Sequence, residues 1–294
     1  MAIKPRVLIT GASSGIGATY ADRFARRGHD LVLVARDEAR LTDLAGRLRQ
    51  AYGVAVDILP ADLTQSRELA AVEARLRDDA SIGILINNAG MGQSGHFLAQ
   101  TASSVEQLVT LNTTALARLA AAIAPRLVQA GEGSIVNIGS VVGLAPEFGM
   151  TLYGATKAFV LFLSQGMSLE LAPAGVYVQA VLPAGTRTEI WARSGIDPDS
   201  LPELMVVEEL VDAALVGFDR REVVTIPPLH EASRWDELDG ARKRCSPTFG
   251  RPMLPNVIRL RLRAADPGNK TGGLLETAPR PTRSSLSRPP LLFL

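Results

Sequence analysis

The chain has 294 residues, 47% of them hydrophobic and 21% charged, which is enough material for one large globular domain with a sizeable core. A formal net charge of +1 excludes global attraction to nucleic acid or to an anionic membrane surface. The single cysteine, Cys245, excludes an intrachain disulfide and fits a reducing compartment.

Met1 to Pro5 leads directly into the apolar run Val7-Leu-Ile9, without the features of a signal peptide. No 18 apolar residues follow one another without interruption, as a membrane span of that kind would need. The expected location is the cytoplasm, with no membrane and no nucleic acid as partner. Residues 6–10, 30–35, 54–59, 83–86, 134–139, 176–181 and 222–226 are short β-branched or aliphatic runs and read as strands. Their near-continuous apolarity predicts burial on both faces, as in a parallel sheet. Between them, residues 39–51 repeat leucine at 41, 44 and 48 after a candidate N-cap, Asp37. Residues 66–78, 104–129, 153–172 and 207–218 are further helices, with Gly28 and Gly131 placed to end helices. The alternation predicts an α/β fold: a single Rossmann-like, doubly wound parallel sheet of about seven strands flanked by helices.

One more helix is expected at 231–244, with Trp235 and Leu238. The composition then changes. Residues 246–294 carry 8 basic and 2 acidic side chains and 8 of the 18 prolines, with little periodicity. Such a segment buries too little apolar surface to offset chain entropy. The predicted organisation is a dinucleotide-binding and catalytic domain over 1–245 and a disordered basic tail over 246–294.

Between the first strand and first helix lies Thr10-Gly-Ala-Ser-Ser-Gly-Ile-Gly17. Gly11, Gly15 and Gly17 allow a tight turn, close backbone approach to phosphate and close helix–strand packing, with a pyrophosphate at the helix N-terminus. The spacing G-x-x-x-G-x-G differs from the broader G-x-G-x-x-G fingerprint, and a glycine turn also occurs without a ligand. Asn87-Asn-Ala-Gly90 closes the fourth strand: asparagine side chains there tie strand ends, and the small pair leaves room for an adenine–ribose. Asp62 is either an acceptor for the adenine amino group or a turn cap. Tyr153 and Lys157 share one helix face at i and i+4, a spacing at which the ammonium favours the phenolate and draws the phenol towards neutral pH. Ser140 is free to hydrogen-bond the same substrate oxygen. The histidines His29, His96 and His230 lack metal-ligand spacing, and no metal is assigned.

In this order the motifs resemble the short-chain dehydrogenase/reductase family, in its compact single-domain branch: T-G-x-x-x-G-x-G at 10–17, N-N-A-G at 87–90, Y-x-x-x-K at 153–157, and serine 13 residues before the tyrosine. The resemblance covers residues 6 to about 226. It implies a catalytic tetrad of Asn112, Ser140, Tyr153 and Lys157, in which Asn112 positions a water linking Lys157 to solvent. Cofactor contacts are implied at Gly11, Ser13, Ser14, Gly15, Ile16 and Gly17, at Asp62, Leu63, Asn88, Ala89 and Gly90, and again at Tyr153 and Lys157. Pro183, Gly185 and Thr186 resemble the family's segment over the nicotinamide, with an inserted-looking Ala184. Thr188 is the favoured hydroxyl there and Thr186 its competitor.

The second strand ends Ala35-Arg36-Asp37. Ala35 supplies no carboxylate for a ribose 2′-hydroxyl, Arg36 suits a 2′-phosphate, and Arg40 assists. Asp37 lies at a spacing that would serve NAD but is read as the helix cap. The expected cofactor is therefore NADP, with NAD as runner-up. The implied reaction is hydride transfer between NADP(H) and a carbonyl or secondary alcohol, on a small or apolar ketone or aldehyde. Pocket walls are expected from Met91, Gln93, Val141, Val142, Phe148 and the segment around Trp191. A non-catalytic NADP-binding regulatory or scaffold protein is the alternative; a sugar-nucleotide epimerase would need a larger C-terminal domain. By resemblance, and from the apolarity of 104–129 and 153–172, the chain is expected to form a homodimer or homotetramer.

Overall fold

Seven aliphatic segments hydrogen-bond in parallel in a computed structural model that describes residues 4–92, 96–193, 197–201 and 203–245. They are β1 (Arg6–Thr10), β2 (Leu31–Ala35), β3 (Val56–Pro60), β4 (Ile82–Asn87), β5 (Gly133–Ile138), β6 (Val176–Val181) and β7 (Val224–Thr225). Every residue of β2 and of β6 is buried, as expected of strands covered on both faces. The sheet order is β3-β2-β1-β4-β5-β6-β7. Strand order reverses between β1 and β4, and in open α/β sheets ligands bind beyond the carboxyl ends of the strands at such a switch point.

Alternate residues of each strand feed two cores. Val7, Ile9, Leu31 and Leu33 pack with Tyr20 and Phe24 of α1 (Gly15–Arg26), Leu41, Leu44 and Leu48 of α2 (Glu38–Tyr52), and Leu210, Val211 and Leu215 further on. Leu8, Val32, Val34 and Leu85 pack on the other face with Leu69, Val72 and Leu76 of α3 (Ser66–Asp78). Leu119, Ile123 and Leu127 join that second core.

Residues 104–129 do not form one regular helix. The run is α4 (Ala102–Val109), a π-helical turn (Thr110–Ala115) and α5 (Leu116–Ala130). Thr101 opens it with a reciprocal capping box to Ser104, and Gly131 ends it at φ 72°. Over Ala102–Ala130 an 18-residue window has a mean hydropathy of 1.3, enough by length and composition to cross a membrane, and 44% of that window is buried in the fold. A criterion of uninterrupted apolar residues passes over this run. Next come α6 (Thr151–Leu171), the short α7 (Ile190–Arg193) and α8 (Val207–Asp219).

The described residues divide into two compact units, one through Pro228 and one beginning at Leu229. The second contains α9 (Ala232–Cys245), which buries no side chain and carries local ion pairs Arg242–Asp239 and Lys243–Asp239, each at 2.7 Å. The segment 246–294, expected to be a disordered tail, lies outside the described residues, as does Gln93.

Candidate active site

The turn after β1 is held open by backbone, not by side chains. Gly11 has φ +65°, and a Cβ placed there would lie 2.8 Å from Asn88 Nδ2. A Cβ on Gly17 would sit 2.3 Å from the Gly11 carbonyl oxygen, so only glycine lets α1 start this close to the strand. Asn88 ties the two switch-point strands: its Nδ2 donates to Thr10 O (2.9 Å) and Gly11 O (3.2 Å). Thr10 Oγ1 accepts from the backbone of Asn88 and Ala89, both at 3.0 Å. Ser14 is the N-cap of α1 but makes no side-chain capping bond. The first amides of that helix, with their positive end of the helix dipole, therefore point into the space beyond Gly11.

That space is one cleft of about 1140 Å³. Gly11, Ser13, Ser14, Gly15 and Ile16 line it from the turn; Asp62 and Leu63 from the end of β3; Asn88, Ala89 and Gly90 from the end of β4. Arg36 lines it beyond β2, and Pro183, Gly185, Thr186 and Thr188 beyond β6. Ser140, Tyr153 and Lys157 stand in the same cleft. Three candidates do not line it: Gly17 and Asn112 are buried, and Arg40 is half-exposed beside its lining partners Asp37 and Glu189.

Asn112 is 1% exposed and sits on the π-helical turn, the kind of local widening that marks functional positions. Its Oδ1 accepts from Met91 N and its Nδ2 donates to Met91 O, both at 2.9 Å, with a further bond to Thr156 Oγ1 at 3.2 Å. It thus fastens the backbone just past Gly90. The oxygen also lies near Lys157: a Cβ on Gly90 would be 3.3 Å from Asn112 Oδ1 and 3.7 Å from Lys157 Nζ.

Ser140 follows β5, and its Oγ accepts from Val142 N at 3.2 Å and meets Pro183 O at 3.4 Å. It also hydrogen-bonds the Tyr153 side chain. Lys157 is 6% exposed, donates to Ile138 O at 2.9 Å, and its Nζ is 5.6 Å from the centre of the Tyr153 ring. Beneath these groups a buried relay joins β4, β5 and α6: Asn87 Nδ2 donates to Asn137 Oδ1 (3.0 Å), and Asn137 Nδ2 to Ser164 Oγ (2.9 Å).

The expectation that Lys157 draws the phenol towards neutrality is corrected here. Burial pushes Tyr153 up to about 12, opposed only by the Ser140 hydrogen bond. Burial also pushes Lys157 down to about 8. Desolvation penalises the charged form of each group, and at this separation it outweighs their mutual attraction.

At the adenosine end, Asp37 is the N-cap of α2: its Oδ1 accepts from Arg40 N at 3.0 Å. Asp62 Oδ1 closes a turn with Thr64 N (2.9 Å) and Thr64 Oγ1 (2.7 Å), the capping role, while its Oδ2 is 4.0 Å from Arg36. The Arg36 side chain is 69% exposed, so its guanidinium is accessible to a phosphate. Thr186 is buried and its hydroxyl donates to Ala184 O at 2.9 Å. Thr188 instead packs over the glycine turn, its Cγ2 3.2 Å from where a Gly15 Cβ would stand. Met91, Val142 and Trp191 line the cleft as expected; Val141 and Phe148 do not. Residues 141–143 and 146–148 form short helical turns, and Met150 lines the cleft beside Val142. The sequence reading did not name Leu108 and Met150 among the lining residues, nor Thr156 and Ser164 as supports, because no motif spacing marks them. Among the described residues no group of three or more His, Cys, Asp or Glu is placed to hold a metal ion.

The glycine turn, the unused amides of α1 and the accessible Arg36 fit a phosphorylated dinucleotide. Comparison with known proteins agrees with this architecture. A structure of a short-chain dehydrogenase from Sphingobium yanoikuyae in complex with NADPH is 72% identical, with a TM-score of 0.84 over 85% of this chain and 98% of that one. A bulky-bulky ketone specific alcohol dehydrogenase from Comamonas testosteroni is 64% identical, with a TM-score of 0.81 over 86% and 98%. The very-long-chain 3-oxoacyl-CoA reductase of Anas platyrhynchos is 30% identical over 188 residues, 62% of this chain and 60% of that protein. The chain thus spans about three fifths of the length of the very-long-chain reductases it matches. The family model for short chain dehydrogenases matches residues 5–198, and the chain belongs to that family.

Proposed function

We propose that the chain is an NADP(H)-dependent oxidoreductase that interconverts a ketone or aldehyde and its alcohol. The observation that carries this reading is the placement of the Tyr153 hydroxyl, Ser140 and Lys157 in one cleft with the glycine turn and Arg36. The cofactor supplies the hydride. Tyr153, held protonated at neutral pH by burial, donates its proton to the carbonyl oxygen as charge develops there. Ser140 Oγ hydrogen-bonds the same oxygen. Lys157 is mostly charged below pH 8 and stabilises the phenolate left behind, while also holding the nicotinamide ribose. Asn112 fixes Met91 and, through its second lone pair beside Gly90, positions a water between Lys157 and solvent.

The remaining wall has an apolar part, in which Leu108, Met150, Ile190 and Trp191 join Met91 and Val142, beside polar Gln100, Thr101, Ser104 and Gln107. This supports a ketone with bulky apolar substituents, in line with the substrate named for the Comamonas testosteroni relative. We further propose that residues 1–245 suffice for the fold and chemistry, and that the protein is cytoplasmic. We also infer that α5 and α6 pair across a two-fold axis in a homodimer or homotetramer. Val128, Phe159, Phe162 and Leu169 support that pairing, being large apolar side chains exposed on those two helices. A panel of dialkyl and aryl ketones, followed at the nicotinamide absorbance with NADPH and with NADH, tests the central reading. Turnover of bulky ketones with NADPH is expected; failure of every carbonyl, together with no NADPH binding, overturns it.

A further inference from the structure

Arg40 is the second cation available to a 2′-phosphate, yet carboxylates already engage it on two sides. Its Nη1 donates to both Oε1 and Oε2 of Glu189 at 2.7 Å, and its Nε lies 3.3 Å from Asp37 Oδ2. Arg36, in the same corner, is 4.0 Å from Asp62 Oδ2. Two guanidiniums therefore face three carboxylates at the end of the cleft beyond β2, the corner that the NADP(H) reading gives to the 2′-phosphate. Asp37 and Asp62 each serve their own element, one capping α2 and the other closing the turn at Thr64. Glu189 reaches Arg40 from 149 residues further along the chain, out of the segment beyond β6. That segment is anchored close by. Thr188 lies on the Gly15 turn, Trp191 Nε1 donates to Thr186 O at 2.7 Å, and Arg187 N donates to Met205 O at 3.0 Å. The Glu189 carboxylate is thus delivered to Arg40 by a well-held backbone, and it lines the same cleft.

We propose that Glu189 is a cofactor-specificity residue whose carboxylate occupies Arg40 in place of the 2′-phosphate. Binding of the phosphorylated cofactor exchanges one anion for the other on the same guanidinium. The inference rests on the NADP(H) reading above. Its physical content is that a fixed negative charge subtracts from the phosphate preference that Arg36 and Arg40 confer, and leaves binding of the unphosphorylated cofactor untouched.

The test is a set of dissociation constants for NADP+, NAD+ and adenosine 2′,5′-bisphosphate, measured by titration calorimetry on the full chain. Wild type is compared with Glu189→Gln, Arg40→Gln and the double variant. Glu189→Gln is expected to tighten NADP+ and the bisphosphate about two- to five-fold, the range of an exposed ion pair. NAD+ should be unchanged. In the Arg40→Gln background the Glu189 change should have no effect, because the two act as one unit. Equal weakening of NADP+ and NAD+ in Glu189→Gln would make the pair a clasp over the dinucleotide and overturn the proposal, as would no change in either. If wild type binds NAD+ as tightly as NADP+, the cofactor reading itself fails. A wild type that prefers NADP+ beside a Glu189→Gln variant of the same preference refutes only the role of Glu189.

Discussion

Alanine substitution at two glycines should give opposite results, and the difference follows from what each new methyl group meets. At Gly17 the added Cβ would lie 2.3 Å from Gly11 O and 2.6 Å from Asn88 Nδ2. One obstacle is backbone and the other a side chain pinned by two hydrogen bonds, so α1 or the turn has to move. Overpacking of this kind costs about 1–3 kcal/mol. Alanine recovers a fraction of that through its better helix propensity, about 1 kcal/mol in a helix interior and less in the first turn where Gly17 lies. A net loss of about 1–2 kcal/mol lowers Tm by about 2–8 °C for a chain of this size. Because the displaced turn is the one offered to pyrophosphate, the NADP+ dissociation constant should rise by about tenfold or more, the effect of some 1.4 kcal/mol. Gly46 sits in α2, exposed, with nothing within 4 Å of its would-be Cβ. Gly46→Ala should gain about 0.5–1 kcal/mol and raise Tm by about 1–4 °C, with cofactor affinity unchanged. Thermal melts and NADP+ titrations on the two variants decide the matter. A Gly17→Ala protein that melts at or above wild type and binds NADP+ normally would refute the steric argument.

Tyr153→Phe keeps the ring and removes the proton donor, so kcat should fall by about 10²–10⁴ while the NADP+ dissociation constant holds; steady-state rates beside a binding titration check this. In the proposed mechanism reduction needs both Tyr153 and Lys157 protonated, and rising pH removes the Lys157 proton first, near 8, long before Tyr153 near 12. The pH profile of kcat/KM for ketone reduction should therefore be level below about 8 and fall above it; a profile level through the ordinary lysine range would contradict the assignment. Phe162 and Leu169 are 78% and 81% exposed on α6, and the double change Phe162→Asp, Leu169→Glu should convert the oligomer to a monomer by light scattering. A wild type already monomeric at micromolar concentration would count against the pairing. A chain truncated after Cys245 should keep its melting temperature and its nicotinamide-dependent activity; loss of soluble protein on truncation would show that residues 246–294 complete the fold.

Elements whose evidence is local were legible in the sequence. The strands at 6–10 and 176–181 and the helix at 66–78 have the predicted bounds, because β-branched runs and an apolar stripe such as Leu69, Val72 and Leu76 report burial within a few residues. The glycine turn, Tyr153 and Lys157 were equally readable, since each motif lies within one turn or one helix face. The π-helical turn at Thr110–Ala115 was not: residues 104–129 have continuous helical periodicity, and it is the pull of Met91 and Thr156 on Asn112 that accompanies the widening. The titration of Tyr153 was misjudged for a related reason. Spacing along a helix reports a neighbouring charge, whereas burial depends on elements packed from elsewhere in the chain, and here burial dominates. The Arg40–Glu189 pair spans 149 residues and joins α2 to the segment beyond β6, two elements whose neighbouring strands β2 and β6 lie on opposite sides of the switch point, so no local pattern could show it. Local chemistry set which groups the chain carries; the crossing of the sheet decided which of them meet, how dry they are, and therefore which protons and anions they hold.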